Sequence, residues 1–240
     1  MYDLHNHLLP GIDDGSPDIE TSVALAKTAI EEGFTHMVCT PHIHPGRFDN
    51  NLDTINHAFN AFKTALAQHN LNLNVAAAAE VRIGPEIIQA AKLNTLPFLG
   101  EWNGKKVLLL EFPTPTIPVG SDNLTKWLIS QNILPMIAHP ERNQAIMDHP
   151  SKIKPFLDQG CLLQLTAGAL TGNFGHQSQE IAEQLLLEDK ITIMATDAHN
   201  TRYRPPVIQD SLQRAIELIG EAKAKKLVLD NPLEITKNKF

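Results

Sequence analysis

The chain has 240 residues, enough for one sizeable core, and its make-up of 42% hydrophobic and 20% charged residues is that of a globular protein. A formal net charge of −7 argues against general binding to nucleic acid or to an anionic membrane surface. No window approaches the roughly 20 apolar residues that span a bilayer, and Asp3, His5 and His7 interrupt any apolar signal region, so no membrane insertion and a cytoplasmic location are expected. Cys39 and Cys161 lie in apolar runs and read as buried free thiols, whereas 11 histidines are an unusual number whose placement has to be explained.

Residues 2–7 open the chain as a strand in which His5 and His7, two apart, face the same side. Asp13-Asp14-Gly15 follows in a turn able to fold back on them, and Ser16-Pro17 reads as the N-cap and first position of a helix that stops at Gly33. Residues 34–40 form a buried strand ending at Pro41-His42, residues 51–69 a helix, and residues 71–79 a strand that meets Glu80. A helix over 84–94, a strand over 105–110 running into Glu111, and a helix over 121–129 come next. The strand 133–138 ends at His139-Pro140-Glu141-Arg142. Helix 150–160, strand 161–165, helix 177–187 and strand 191–195 follow, the last ending at Thr196-Asp197-Ala198-His199. Helices over 206–219 and 221–229 lead to Asn231-Pro232 and a polar tail.

Apolar strands alternating with helices imply parallel pairing through right-handed crossovers. No linker or composition break divides the chain, so a single domain over 1–240 is expected. A doubly wound open sheet usually carries a Gly-rich first turn, where this chain has His and Asp. The expected fold is therefore α/β, a distorted TIM-like (β/α)7 barrel with its active site at the C-terminal strand ends.

That arrangement gathers the histidines and acids at one mouth. His5 and His7 would end strand one, His42 strand two, Glu80 strand three, Glu111 strand four, His139 strand five, and Asp197 and His199 strand seven. Strand six ends at Gln164 and Thr166, with no strong ligand. With an aspartate from the first turn, nine N/O donors converge, too many for one ion and suited to two or three. The mixture of imidazole and carboxylate without thiolate points to manganese, iron, zinc or magnesium. Three divalent ions against four carboxylates leave roughly +2 in the pocket, which favours a phosphate dianion. Arg142 and Arg204 lie on the same mouth, with the planar fork that matches phosphate oxygens. Water activated by metal is the nucleophile such a site supplies, so hydrolysis of a phosphate monoester is expected.

The ordered set Asp3-Leu4-His5-Asn6-His7, Thr40-Pro41-His42, Glu80, Glu111, His139-Pro140-Glu141-Arg142 and Asp197-Ala198-His199 resembles the motifs of the PHP (polymerase and histidinol phosphatase) superfamily. Asp13-Asp14-Gly15 and Leu229-Asp230-Asn231-Pro232 resemble, within it, the bacterial metal-dependent protein-tyrosine phosphatases, which act on the tyrosine autokinases controlling capsular or exopolysaccharide synthesis. The resemblance covers residues 2 to about 235. It implies one metal on His5, His7, Glu80 and Asp197, a second on Glu80, Glu111 and His139, and a third on Asp14, His42 and His199. Manganese is the ion implied, with iron, zinc, magnesium and cobalt as further candidates. It also implies a phosphate grip by Arg142 and Arg204 and a phosphotyrosine protein as substrate; a homo-oligomer is left open by the sequence. Spacing leaves Asp13 and Asp14 open; the resemblance selects Asp14.

Three other readings are weighed against this one. A cysteine-dependent tyrosine phosphatase needs Cys-x5-Arg, but the sixth residue after Cys39 is Pro45 and after Cys161 is Ala167. A small-molecule phosphomonoesterase such as histidinol-phosphate phosphatase shares the metal motifs, and His44 or Asp13 are the only acids seen for an alkoxide leaving group. An amidohydrolase would place a bridging lysine where this chain has Glu80 or Glu111. The loops 41–50, 112–120 and 167–176 are expected to form the substrate rim.

Overall fold

The computed structural model describes residues 1–240. Its strands are β1 (Tyr2–Asp3), β2 (His36–Cys39), β3 (His42–Ile43), β4 (Asn74–Ala77), β5 (Glu80–Arg82), β6 (Gly100–Trp102), β7 (Lys105–Glu111), β8 (Ile133–Ala138), β9 (Leu162–Thr166) and β10 (Ile193–Ala195). The helices are α1 (Ile19–Glu31), α2 (Leu52–Gln68), α3 (Glu86–Lys92), α4 (Ser121–Ser130), α5 (Gln144–Asp148), α6 (Lys154–Asp158), α7 (His176–Leu187), α8 (Gln209–Ile219), α9 (Glu221–Val228) and α10 (Asp230–Thr236). None is long and apolar enough to cross a membrane.

Parallel pairing joins the strands throughout, apart from β6, which runs antiparallel to β7. The strands do not close into one barrel, contrary to the expected seven-stranded ring. They form a three-stranded sheet in the order β1-β2-β4 and a larger sheet in the order β10-β9-β8-β7-β5-β3. The division has a local cause. Pro41 has no N–H to give a ladder, so the second expected strand breaks into β2 and β3, and its partner breaks at Ala78-Ala79 into β4 and β5. His42 and Glu80 therefore open strands instead of ending them, and they are register partners in the β3–β5 pair. On the other side, β1 and β10 meet through the single bridge Asn6–Ala198.

A large apolar cluster packs the helices on the sheets, and a smaller one lies between the two sheets, with Leu4, Val38, Ala76, Ala78, Val107, Leu109 and Ile193 among its members. Period-two alternation carries this inner face into polar residues at the C-terminal ends: Ala76, Ala78, Glu80 on one path, and Val107, Leu109, Glu111 on another. The sheet interior thus hands its orientation to the acids.

Two helix boundaries differ from expectation. The cap of α1 is Asp18, whose side chain accepts from Thr21 N at 2.8 Å, and not Ser16. The polar tail is instead helix α10, which buries Pro232, Ile235 and Thr236. It docks because Gly100 has no side chain: a Cβ there would lie 1.9 Å from Ile235 O. Both cysteines are buried and unpaired, as expected.

Candidate metal centre

The first two histidines reach the last two site residues through backbone pairing. Asp3 is fully buried and takes Thr196 N at 3.2 Å, Thr196 Oγ1 at 2.6 Å and His5 N at 3.2 Å. Beyond this clamp the two short motifs run side by side, with Asp197 N donating to His5 O at 2.7 Å and His7 N to Ala198 O at 2.8 Å. The turn 8–16 then folds back on His7, with Ser16 N on His7 O at 3.0 Å. Gly15 makes that close return feasible, since a Cβ there would sit 2.2 Å from His7 O.

All nine expected ligands face one another at this end of the sheets. His5 Nε2 lies 3.3 Å from both Glu80 Oε2 and Asp197 Oδ1. His7 Nε2 lies 3.4 Å from Glu80 Oε2, 3.3 Å from Asp197 Oδ1 and 3.4 Å from His5 Nε2. Tetrahedral ligands about 2.1 Å from an ion stand about 3.4 Å apart, so these spacings suit a shared cation. His139 Nε2 is 2.7 Å from Glu80 Oε1, and His42 Nδ1 is 2.9 Å from Glu80 Oε2 and 3.7 Å from Glu111 Oε2. Asp14 Oδ1 lies 3.3 Å from His42 Nε2 and 3.5 Å from His199 Nε2. The donor atoms group as His7, Asp14, His42 and His199; as His5, His7 and Glu80; as His5, His139 and Asp197; and as His42, Glu80 and Glu111. Glu111 thus groups with His42 and not with His139, and His7 touches two groups.

Hydrogen bonding has already chosen which nitrogen several histidines offer. Nδ1 of His5 donates to Gln164 Oε1 at 2.8 Å, Nδ1 of His7 to Asp13 Oδ2 at 2.7 Å, and Nδ1 of His199 to Asp197 O at 2.9 Å. In each case the Nε2 lone pair is left facing the cluster, which is how ligating histidines are oriented. Buried acceptors with no hydrogen-bond partner complete the fit: Glu80 Oε2, Glu111 Oε2, Asp197 Oδ1 and His42 Nδ1. Divalent cations would satisfy all four.

The electrostatics are those of a centre needing positive charge. Burial opposes ionisation of Asp197, but His5, Arg204 and Arg142 hold it well below the usual carboxylate range. Burial and then the charge of Glu80 push Glu111 up to about 7. Burial disfavours a charged His42, yet Glu80 and Asp14 outweigh it and raise its pKa to about 9. His139 goes the other way, to about 4, through burial and then Arg142. Arg142 Nη1 and Arg204 Nη2 both donate to Asp197 Oδ2, so the second oxygen of Asp197 is held while the first faces the cluster.

His139 directly follows β8 and Asp197 comes two residues after β10; both adopt left-handed backbone, with φ of 33° and 53°. Such residues cost about 1–3 kcal/mol and persist where the surroundings dictate them. For His139 the strain is the greater because Pro140 follows.

Several site residues have no counterpart among the expected ones. Gln164, no strong ligand by its chemistry, accepts from both His5 Nδ1 and His139 N, the latter at 3.1 Å. Arg82 Nε lies 3.1 Å from Glu111 Oε2, as register partners on β5 and β7. Its place two residues past Glu80 on one strand is a usable signal. Of the two aspartates that spacing leaves open, Asp13 is the buried one that orients His7 and takes His42 N at 3.0 Å; Asp14 is the one facing His42 and His199. Replacing Gln164 by leucine keeps the volume and removes the acceptor. Metal affinity is expected to fall about 10- to 100-fold with the fold intact, measured by titration calorimetry alongside circular dichroism. Unchanged affinity would show that Gln164 does not orient the cluster.

A mostly parallel α/β protein with clustered imidazole and carboxylate donors and paired arginines belongs among proteins built for metal-assisted chemistry on an anion. The chain belongs to the capsular polysaccharide synthesis family CpsB/CapC, whose model matches residues 1–237. It is 32% identical over 212 residues to the tyrosine-protein phosphatase YwqE of Bacillus subtilis, covering 88% of this chain and 82% of that protein. It is 28% identical over 244 residues to the tyrosine-protein phosphatase CpsB of Streptococcus pneumoniae, covering 98% of each. A crystal structure from work on YwqE and CpsB, described as metal-dependent tyrosine phosphatases, superposes with a TM-score of 0.91 at 30% identity, covering 100% of this chain and 96% of that one. A lactonase from Listeria monocytogenes, 13% identical with a TM-score of 0.57 and covering 98% of this chain and 93% of its own, shares the fold alone.

Proposed function

We propose that this chain is a metal-dependent protein-tyrosine phosphatase, a phosphoric monoester hydrolase that acts on the phosphotyrosine of a bacterial tyrosine autokinase in capsular or exopolysaccharide synthesis. The observation that carries this reading is the convergence of His5, His7, Glu80 and Asp197 at about cation-ligand spacing, with two arginines joined to the far oxygen of Asp197. Family membership and the named relatives support it over a small-molecule phosphatase. His5, His7, Asp14, His42, Glu80, Glu111, His139, Asp197 and His199 would hold three divalent ions; the N/O donor set suits manganese, iron, zinc or magnesium, and the family resemblance favours manganese. Bound there, the ions would lower the pKa of water towards neutrality and balance charge on the phosphoryl oxygens.

The chain's own residues do the rest. Arg142 and Arg204 present adjacent guanidinium groups at the edge of the cluster, where they would grip the non-bridging phosphate oxygens. Asp197 Oδ2 holds both forks in place. The phenolate leaving group has a pKa near 10 and needs little protonation. That suits a site where the histidine outside the ligand set nearest in sequence to a ligand is His44, two residues past His42.

The test is to count metals in the purified protein and compare turnover of a phosphotyrosine peptide, a phosphoserine peptide and histidinol phosphate with added Mn²⁺. The phosphotyrosine peptide is expected to be preferred by orders of magnitude; preference for histidinol phosphate would overturn the substrate assignment. Arg204→Ala should raise KM about tenfold or more and leave metal content unchanged. Loss of metal in that variant would contradict its role.

A further inference from the structure

The turn that follows His199 carries an exposed aromatic and a charge that the metal cluster does not use. Asn200 Oδ1 accepts from the backbone N–H groups of Arg202, Tyr203 and Arg204 at 3.1, 2.7 and 3.2 Å. His199 N and Asn200 N both donate to Arg204 O, at 2.8 and 3.2 Å, which closes the turn on the site. A segment pinned in this way still leaves Tyr203 70% exposed, although it is one of only two tyrosines in the chain. The Arg202 guanidinium stacks on it, 4.9 Å from the ring centre.

Arg202 is also the odd one among the arginines. Of six, Arg47, Arg82, Arg142, Arg204 and Arg214 each have a carboxylate within ion-pair distance, and Arg202 has none. In a chain of net charge −7, an exposed, unpaired arginine on a fixed turn is free to meet a negative group from outside. Beside it lies a cleft of about 600 Å³, lined by Phe174, Thr196, Arg202, Tyr203 and Arg204 among others. Phe174 packs under both phosphate-facing arginines, 4.5 Å from Arg142 Cζ and 5.8 Å from Arg204 Cζ. The cleft is therefore continuous with the phosphate end of the site and open to solvent at Tyr203.

We infer that the Arg202–Tyr203 turn and this cleft form the docking surface for the peptide segment flanking the phosphotyrosine, and that Arg202 selects an acidic side chain there. The inference rests on the phosphatase reading and extends it to sequence preference. Arg204 takes the phosphate, Tyr203 offers an aromatic face to the flanking chain, and Arg202 supplies the charge one step further out. A small aryl phosphate has no flanking chain to lay on Tyr203 and Arg202, so this surface would discriminate between peptide and small-molecule substrates.

The experiment uses the Mn²⁺-loaded full chain and three substrates: a phosphotyrosine peptide with acidic flanks, the same peptide with lysine flanks, and para-nitrophenyl phosphate. Arg202→Ala is expected to raise KM for the acidic peptide about three- to fivefold at unchanged kcat, as for a rim ion pair. Tyr203→Ala is expected to raise it about tenfold. Neither should alter turnover of para-nitrophenyl phosphate, and Arg202→Glu should reverse the preference towards lysine flanks. An unchanged flank preference in Arg202→Glu, or equal losses on all three substrates, would overturn the docking surface while leaving the phosphatase reading intact. Failure of the wild-type protein to hydrolyse either peptide while it hydrolyses another phosphate ester would overturn both.

Discussion

Asp197→Ala is expected to abolish turnover of a phosphotyrosine peptide, lowering kcat/KM by about a thousandfold or more, and to destabilise the fold at the same time. The carboxylate has two jobs that no neighbour can take over. Its Oδ1 faces His5 and His7 Nε2 at 3.3 Å, and its Oδ2 holds Arg142 and Arg204. Removing one partner of a buried ion pair costs roughly 3–5 kcal/mol. The arginine side chains are 22% and 25% exposed, so water recovers part of that cost and the lower end is expected. Asp197→Asn keeps an acceptor for the arginines and should melt nearer the wild type while remaining inactive. Thermal melts and metal content of both variants, followed with the kinetics, check this. Near-normal turnover of Asp197→Ala at full metal content would remove Asp197 from the centre.

Stripping the metals is expected to have the second large effect. Ions present at 100 times their dissociation constant stabilise a protein by about 2.7 kcal/mol per site. For a domain of this size, that is a fall of roughly 5–10 °C in Tm for each ion removed by chelation. The process should also depend on pH in a fixed direction. Without metal, His42 has a pKa of about 9 and so carries a proton at pH 7, and Glu111, at about 7, is partly protonated. A cation needs both groups deprotonated, so binding must release protons, and affinity must rise from pH 7 towards pH 9. Calorimetry in buffers of different ionisation enthalpy counts the released protons. Affinity independent of pH across that range would mean that His42 and Glu111 are not ligands.

Much of the site is legible in the sequence because its donors follow closely on recognisable apolar runs. Val107, Leu108, Leu109 and Leu110 lead straight to Glu111. Ile193, Met194 and Ala195 lead likewise towards Asp197, and for Glu111, still inside β7, a two-residue period also fixes the side it faces. What escapes a local reading involves partners far apart in the chain. Gln164 and His5 are 159 residues apart, and Asp3 and Thr196 are 193 apart, so no local pattern links them. The break of the second strand is recoverable in principle from Pro41. Its consequence, two sheets in place of one ring, is not, because it depends on how Ala78 and Ala79 answer across the gap.

Residue type and short-range periodicity carry the chemistry at the mouth of the sheets: nine imidazole and carboxylate donors, no thiolate, two arginines, and an alternation of strands and helices that brings them to one end. That information is local, since it depends on neighbours a few positions away. Folding adds which nitrogen His5, His7 and His199 present, which of Asp13 and Asp14 faces the cluster, and where His139 and Asp197 are held in left-handed backbone. Those outcomes depend on contacts between segments that are distant in the chain and meet only in three dimensions.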